Sequence, residues 1–390
     1  MAAVRAMRER DVAAAVALFE RVYPQHRWRS RGACEAYFRD ILFANPWRDL
    51  QLPSWVAEED SRIVGLYAIL PRRMRLGARA LRVAVGCQFM VEAGPQRSLT
   101  ALQLTQACLS GPQDLTLADG ANDRMRRMWH AVGGTVPLLY GLHWTRPLRP
   151  ARHALQLLER RAAVPALLAR AARPAAALAD ALAARLLPNR FLREAARSAD
   201  GALDAGDMAA LLPEVLHGAA LRPDYDAGAL AWLLGEAARK TRHGALRARA
   251  VLEGDRLLGW YLYYLRRGAA AEVLQLTARE GGFAQVLQRL LADAWREGAS
   301  AVHGRLDPRH AQELSQRHCW FRWDGTWTLC HARDPGIAAA LHAGEAFLSR
   351  LEGEWWLRFL DEDAVAPSAG RERGVRRAEP GAARATAQAP

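Results

Sequence analysis

SWVAEEDSRIVGLYAI (residues 54–69), VAVGCQFMV (83–91), GPQRSLTA (94–101), LTLA (115–118) and NDRMRRMWHAVGG (122–134) follow one another in the first third of the chain. Pro53 to Ala57 is apolar and extended. Glu59-Asp60-Ser61-Arg62 turns the chain, and Ile63 to Ile69 returns it. Val83 to Val91 is a third strand. Gly94-Pro95 breaks that strand, and a helix follows through Leu109. Leu115 to Ala118 is a short buried strand, and Asn122 to Val132 is helical. Strands alternating with helices in this way make an α/β sheet flanked by helices.

Working outward, Val4 to Arg21 reads as a strand and then an amphipathic helix, with Asp11 as N-cap and Val12, Val16 and Phe19 at helical spacing. Tyr37, Phe38, Ile41, Leu42 and Phe43 mark a second helix, stopped at Asn45-Pro46-Trp47. Val136 to Trp144 is a strand that closes this first sheet before Arg146-Pro147. Residues 151–200 then hold 18 alanines and read as short helices broken at Pro165, Pro174 and Pro188. From about Gly206 the first pattern returns. Arg62-Ile63-Val64-Gly65-Leu66-Tyr67, with Arg72-Arg73 beyond, matches Arg256-Leu257-Leu258-Gly259-Trp260-Tyr261, with Arg266-Arg267 beyond. Leu246 to Leu252, Glu272 to Ala278, Ala301 to Arg305 and Thr326 to His331 supply the accompanying strands, the last closing the second sheet. Self-similarity in this order predicts a duplicated fold.

Composition narrows the function. The chain of 390 residues has a net charge of +13 and is 51% hydrophobic, enough for two domains with sizeable cores. Of its 54 basic residues only Lys240 is a lysine. Much of the positive charge sits in residues 151–200, with nine arginines against four acids, and in 364–390, with five against two. A nucleic-acid surface needs a basic patch on a domain face with aromatics interleaved, and this layout argues against one. Cys34, Cys87, Cys108, Cys319 and Cys330 are odd in number and widely spaced, which argues for reduced thiols and against a disulfide framework or a metal site. The N-terminal charges exclude a signal peptide, and no apolar run is of bilayer-spanning length, so a cytoplasmic location is expected. The alanine- and arginine-rich segment is read as an interdomain bridge, with peripheral contact to an anionic membrane as the alternative.

The arrangement from Val4 to Arg146 resembles the core of the GNAT superfamily, the acetyl-CoA-dependent N-acetyltransferases. Arg62-Ile63-Val64-Gly65 and Asn122 to Gly133 are the clearest local matches. The resemblance implies that the first two helices wall the acceptor cleft, with Trp28, Tyr37 and Trp47 available to line it. It implies a pyrophosphate loop of pattern Arg/Gln-x-x-Gly-x-Gly/Ala at the start of the helix after the third strand, where free N–H groups and the helix dipole hold phosphate. Read from Gln96, that pattern places Leu99 at the first glycine and Ala101 at the last. Read from Arg97, it gives Thr100 and Leu102. The central glycine is missing either way, so the loop is either a cofactor site using Gln96, Arg97, Ser98, Leu99, Thr100 and Ala101, or an ordinary capped helix. The resemblance also puts Asn122 on the cofactor and the Met90 and Val91 N–H groups on the thioester carbonyl. The tyrosine that protonates the departing thiolate in many of these enzymes is Trp129 here, whose indole N–H is far less acidic. His130, Tyr140 and His143 are the replacement acids to consider, and Glu92 is the candidate base.

The expected fold is therefore α/β, with two GNAT-like mixed-sheet domains at 1–150 and 204–362, a helical bridge at 151–203 and a disordered tail at 363–390. The second turn, Glu280-Gly281-Gly282, lacks the Arg/Gln motif and puts an acid where pyrophosphate would lie. Ala346 to Leu360, with Phe347, Leu351, Trp355, Trp356 and Phe359, reads as an amphipathic helix that packs on the second domain or offers a stacking surface to a sugar or partner. The expected function is acyl transfer from acetyl-CoA or another acyl-CoA to the amine of a small molecule or envelope precursor. The alternatives are a non-catalytic binding protein on this fold, or a FemAB-like transferase, which the tandem layout also resembles.

Overall fold

The computed structural model describes residues 2–26, 28–94, 97–161, 163–186, 199–201 and 203–361. Gln96, much of the end of the predicted bridge and the predicted disordered tail lie outside the described residues. The first half runs β1 (Ala3–Ala6), α1 (Val12–Val22), α2 (Arg31–Leu42), β2 (Trp55–Glu59), β3 (Arg62–Leu76), β4 (Arg79–Val91), α3 (Arg97–Leu109), β5 (Leu115–Ala121), α4 (Asp123–Ala131) and β6 (Leu142–Pro147). α5 (Pro150–Arg160) and α6 (Ala166–Leu186) follow. The second half has β7 (Ala199–Gly201), α7 (Ala205–Val215), β8 (Leu221–Pro223), α8 (Ala227–Ala238), β9 (Ala245–Glu253), β10 (Arg256–Leu265) and β11 (Ala271–Ala278). It ends with α9 (Phe283–Arg296), β12 (Ala301–Arg305), α10 (Ala311–Gln316), β13 (Trp320–Trp323), β14 (Trp327–Ala332) and α11 (Pro335–His342).

These strands form two mixed sheets. The first has the order β1-β2-β3-β4-β5-β14, with β8 pairing the far end of β3. The second has the order β13-β6-β12-β11-β10-β9-β7. Each contains one parallel pair, β4 with β5 and β11 with β12. The predicted strands exist, except that the one read at Val136–Trp144 begins only at Leu142 after a helical turn at Leu138–Gly141, and two have changed places. β6, read from sequence as the close of the first sheet, pairs antiparallel with β12 and β13 in the second. β14, read as the close of the second, pairs antiparallel with β5 in the first. The crossing point is fixed locally. Thr135 makes a single bridge to Cys330 of β14, and the turn after it is anchored by Tyr140. The Tyr140 hydroxyl donates to Ala346 O at 2.7 Å and accepts from Ala346 N at 2.9 Å. Beyond that anchor the chain is committed to the second sheet. Alternation of side chains specifies a strand's two faces but not its neighbour, which is why the exchange is silent in the sequence.

Packing follows the same interlock. One continuous core joins α1, α2, α7 and α8 to the inner faces of both sheets. It includes Phe19, Phe38 and Leu66 from the first half and Trp260, Leu262 and Trp356 from the second. α3 and α4 cover the outer face of the first sheet around Tyr67, Leu104 and Trp129. α9 covers the outer face of the second around Val286, Leu290 and Val302. Three other expectations are corrected. Pro174 does not break the bridge, because α6 runs through it. Asp11 makes no side-chain capping bond to α1 and instead pairs with Arg5 at 2.7 Å. Ala346 to Leu360 is not helical. It is a strap of turns laid across both sheets, with Phe347 N donating to Leu221 O and Arg350 N to Leu274 O. The five cysteines are buried and form no disulfide. Among the described residues no helix is long and apolar enough to cross a membrane.

Candidate active site

β4 and β5 are in register only from Val83–Leu115 to Val85–Leu117. Beyond that point they splay apart, and a cleft of about 900 Å³ opens between them. The splay is helped by a bulge in β4, where Gln88 and Phe89 oppose a single residue of β3. Gln88 sits at the bulge with φ +42°, a left-handed conformation that is costly for a residue with a side chain. The bulge turns the Gln88 N–H away from β3 and into the cleft. Further along, Glu92 N donates to Val64 O at 2.9 Å. Ladder alternation then directs Met90 N–H toward β3 as well, and leaves the Val91 N–H facing the open side. Of the two amides expected to polarise a carbonyl, only Val91 is oriented for it.

The floor of the cleft holds two groups that sequence reasoning missed. Glu354 reaches in from the C-terminal strap, half-buried at the cleft floor, and its Oε2 accepts the Gln88 N–H at 3.3 Å. Burial, and then the neighbouring charge of Asp119, push its carboxyl up to about 8. Asp119 accepts the Glu354 N–H at 2.8 Å and pairs with Arg305 of β12 at 2.9 Å, so the strap is fixed at the point where the two sheets meet. The second missed group is Tyr67 of β3. Its ring crosses β4 at Gly86, where a Cβ would lie 2.7 Å from Tyr67 Oη. Burial raises this phenol well above its ordinary range, so it keeps its proton. Tyr67 Oη faces the indole of Trp129, and neither makes a hydrogen bond of normal geometry. Tyr67 was visible in the repeat motif but read only as strand. Glu354 lay in a stretch whose aromatic spacing suggested a surface helix.

At the cleft mouth α3 presents its first turn, which carries no acidic side chain. Arg97 and Ser98 line the cleft there, and Arg124 from α4 donates to Ser98 Oγ at 3.3 Å. Arg97 is held by Glu59 at 2.8 Å. Ala101 and Asn122 also line the cleft, and the Asn122 side chain accepts from Met125 N at 2.9 Å, capping α4. Thr100 is buried and Leu99 points to solvent, so neither lines it. Glu92 stands at the rim, bound by Arg21 at 3.0 Å and by Arg62. Both guanidiniums bind the same oxygen, Oε1. His130, at the exposed end of α4, is outside the cleft. Tyr140 and His143 are not cleft residues either. Tyr140 is locked to Ala346, and His143 travels with β6 into the second sheet. Tyr37 and Trp47 are core residues, and Trp28 packs on Tyr37 with ring centroids 5.0 Å apart.

The equivalent place in the second sheet is closed. β11 and β12 pair only at Ala271–Val302 and Glu272–His303 before they splay. Phe347 to Arg350 of the strap fill the gap and leave about 20 Å³. α9 begins at Gly282 with no side-chain cap.

No protein-family model matches the sequence, and no curated protein matches it. Solved structures do resemble it. One is a conserved protein of unknown function and probable N-acyltransferase from Enterococcus faecalis V583, with a TM-score of 0.54 and 8% identity, over 85% of this chain and 73% of that one. A GCN5-related N-acetyltransferase from Anabaena variabilis has a TM-score of 0.53 and 13% identity, over 86% and 74% of the two chains. Another from Kribbella flavida has a TM-score of 0.51 and 14% identity, over 87% and 73%. At these identities the likeness is one of fold: a mixed α/β chain with two mixed sheets of the GNAT-like kind.

Proposed function

We propose that the chain is an acyl-CoA-dependent N-acyltransferase whose reaction takes place in the cleft of the first sheet. The observation that carries this reading is the presence, in one cleft, of the Glu354 carboxyl, pushed up to about 8, and the Tyr67 phenol, which keeps its proton. A proton acceptor and a proton donor in the same cleft are what amine acylation requires. The residues also suit the donor. A cofactor pyrophosphate would find Arg97, Arg124, Ser98 and the positive dipole end of α3 at the mouth, with no acid in the first helical turn. The unpartnered Tyr67 hydroxyl lies at the inner end.

Acyl-CoA, when bound, supplies an acyl group activated as a thioester. The protein's part is to manage protons and partial charge. Glu354, as the carboxylate, removes a proton from an acceptor ammonium and so produces the nucleophilic amine. The Val91 N–H offers a hydrogen bond on the open side of β4, where negative charge develops. Tyr67 holds its proton at Oη for a departing anion, standing in from β3 for the phenol that α4 lacks at Trp129. Gln88, by its strained bulge, fixes the Glu354 oxygen.

Titration calorimetry with acetyl-CoA tests the donor half of the reading. One equivalent is expected to bind with micromolar affinity, and Arg97→Glu or Arg124→Glu to weaken it at least tenfold. Failure of every acyl-CoA to bind would sink the proposal and leave a non-catalytic protein on this fold. Binding indifferent to both substitutions would move the site out of this cleft.

A further inference from the structure

On the inner side of the second sheet a polar cavity of about 170 Å³ lies among β6, β12, β13, the end of α5 and the strap. Register brings its groups together. Arg322 of β13 stands opposite His143 of β6, while His303 of β12 stands opposite Thr145 and beside Glu272 of β11. His143 and His303 are more than nine-tenths buried. His303 Nδ1 is engaged with Thr145 Oγ1 at 2.7 Å, and its Nε2 has no partner.

The charges around these imidazoles do not balance. Both carboxylates are already engaged. Glu272 accepts from Arg350 Nη1 at 2.8 Å, and Asp324 lies 3.3 Å from His143 Nδ1 and accepts two bonds from Thr326. Arg350 is buried, and its Nε is unpartnered. Arg160 and Arg322 line the same cavity, and neither has an ion-pair partner among the described residues. Burial and then the surrounding positive charge push His143 and His303 down to about 3. Like charges therefore converge on neutral imidazoles, an arrangement that is unfavourable while empty and favourable around an anion.

We infer that this cavity is a binding site for a small oxyanion, a phosphate or carboxylate group, held by Arg160, Arg322, Arg350 and His303. A cation is disfavoured by three guanidiniums, and among the described residues no three His, Cys, Asp or Glu side chains converge as metal ligands. The volume admits a phosphate-sized group and excludes a whole nucleotide. Trp355, stacked on His243 with centroids 5.0 Å apart and under Arg350 at 4.3 Å, forms one wall. The site lies outside the cleft of the first sheet and stands whether or not that cleft transfers acyl groups.

The test is calorimetric titration of the full chain with inorganic phosphate and, separately, with succinate, against a constant chloride background. Saturable binding of one equivalent of either anion is expected, weakened at least tenfold by Arg322→Ser and by Arg160→Ser. Both side chains are exposed at the cavity mouth, so the variants should keep the parent melting temperature. Saturation by phosphate alone identifies a phosphate site, and by succinate alone a carboxylate site. Absence of saturable heat with both anions, or binding unchanged in both variants, would overturn the inference.

Discussion

A carboxyl out of water with a second carboxylate nearby keeps its proton past the ordinary range, and Glu354 does so to about 8. The unprotonated form is the one that can accept a proton, so acyl transfer should climb with pH and level off above about 8. Glu354→Gln preserves size and an acceptor for the Gln88 N–H but cannot take a proton. It is expected to lower kcat by roughly 10²–10⁴-fold, leave acetyl-CoA affinity within a few-fold, and abolish the rising limb of the pH–rate profile. The same shift affects stability with a definite sign. The folded state holds this proton above its unfolded value near 4.5, so the contribution is intact at lower pH. It falls by about 1.4 kcal/mol per pH unit between there and about 8. Glu352 shifts in the same direction, so the check is the difference in urea midpoint between parent and Glu354→Gln at pH 5 and pH 8. A variant with an unchanged pH slope would exclude Glu354 as the titrating group. Arg97, Ser98 and Asn122 were named through the resemblance, whose motifs are local, and all three line the cleft. Glu354 and Tyr67 were illegible, since their meaning depends on which strands splay and what crosses the gap.

The strap from Ala346 to Asp361 shows how an element can be misread by its periodicity. Phe347, Leu351, Trp355 and Phe359 repeat at helical spacing, yet each fills a different site. Phe359 packs on Tyr37 and Phe38 with centroids 5.0 and 4.8 Å away, while Trp356 stands near Trp232 in the shared core. Gly353 is the contrary signal. A side chain there would strike the Asp119 carboxylate, so the close approach requires glycine in a stretch where a helix would prefer almost anything else. The strap's amides are satisfied by the two sheets and by Tyr37 Oη, which accepts from Arg358 N at 2.7 Å. Trp356 is completely buried, and its Nε1 donates to Gly353 O at 2.9 Å, so it supports the turn that carries Glu354. Trp356→Ala should cost about 3–5 kcal/mol in denaturant unfolding. It should also depress turnover under conditions where the variant remains folded. Loss of stability with undiminished turnover would show that the Glu354 position does not depend on this anchor.

At the scale of the molecule, the two halves of the chain do not own the two sheets. Strand content, a mixed sheet in each half and the helices that cover them were legible, because alternation, breaks and caps are written locally. The exchange of β6 and β14 was not, because it is decided by competition between similar edges and by long-range anchors such as Tyr140 on Ala346. Asp119 and Arg305, each from a different sheet and each buried, then pair at the junction. A buried pair of this kind adds little net stability but penalises any arrangement that separates its members. It follows that residues 1–150 form no complete first sheet: β5 would expose the edge that β14 covers, and β6 would have no partner. The fragment 1–150 is expected to show no cooperative thermal transition and to aggregate. Residues 1–203 and 204–390 produced together should instead associate, co-elute as one 1:1 species and recover a single transition. Two independently folded halves, each melting cooperatively alone, would refute the exchange.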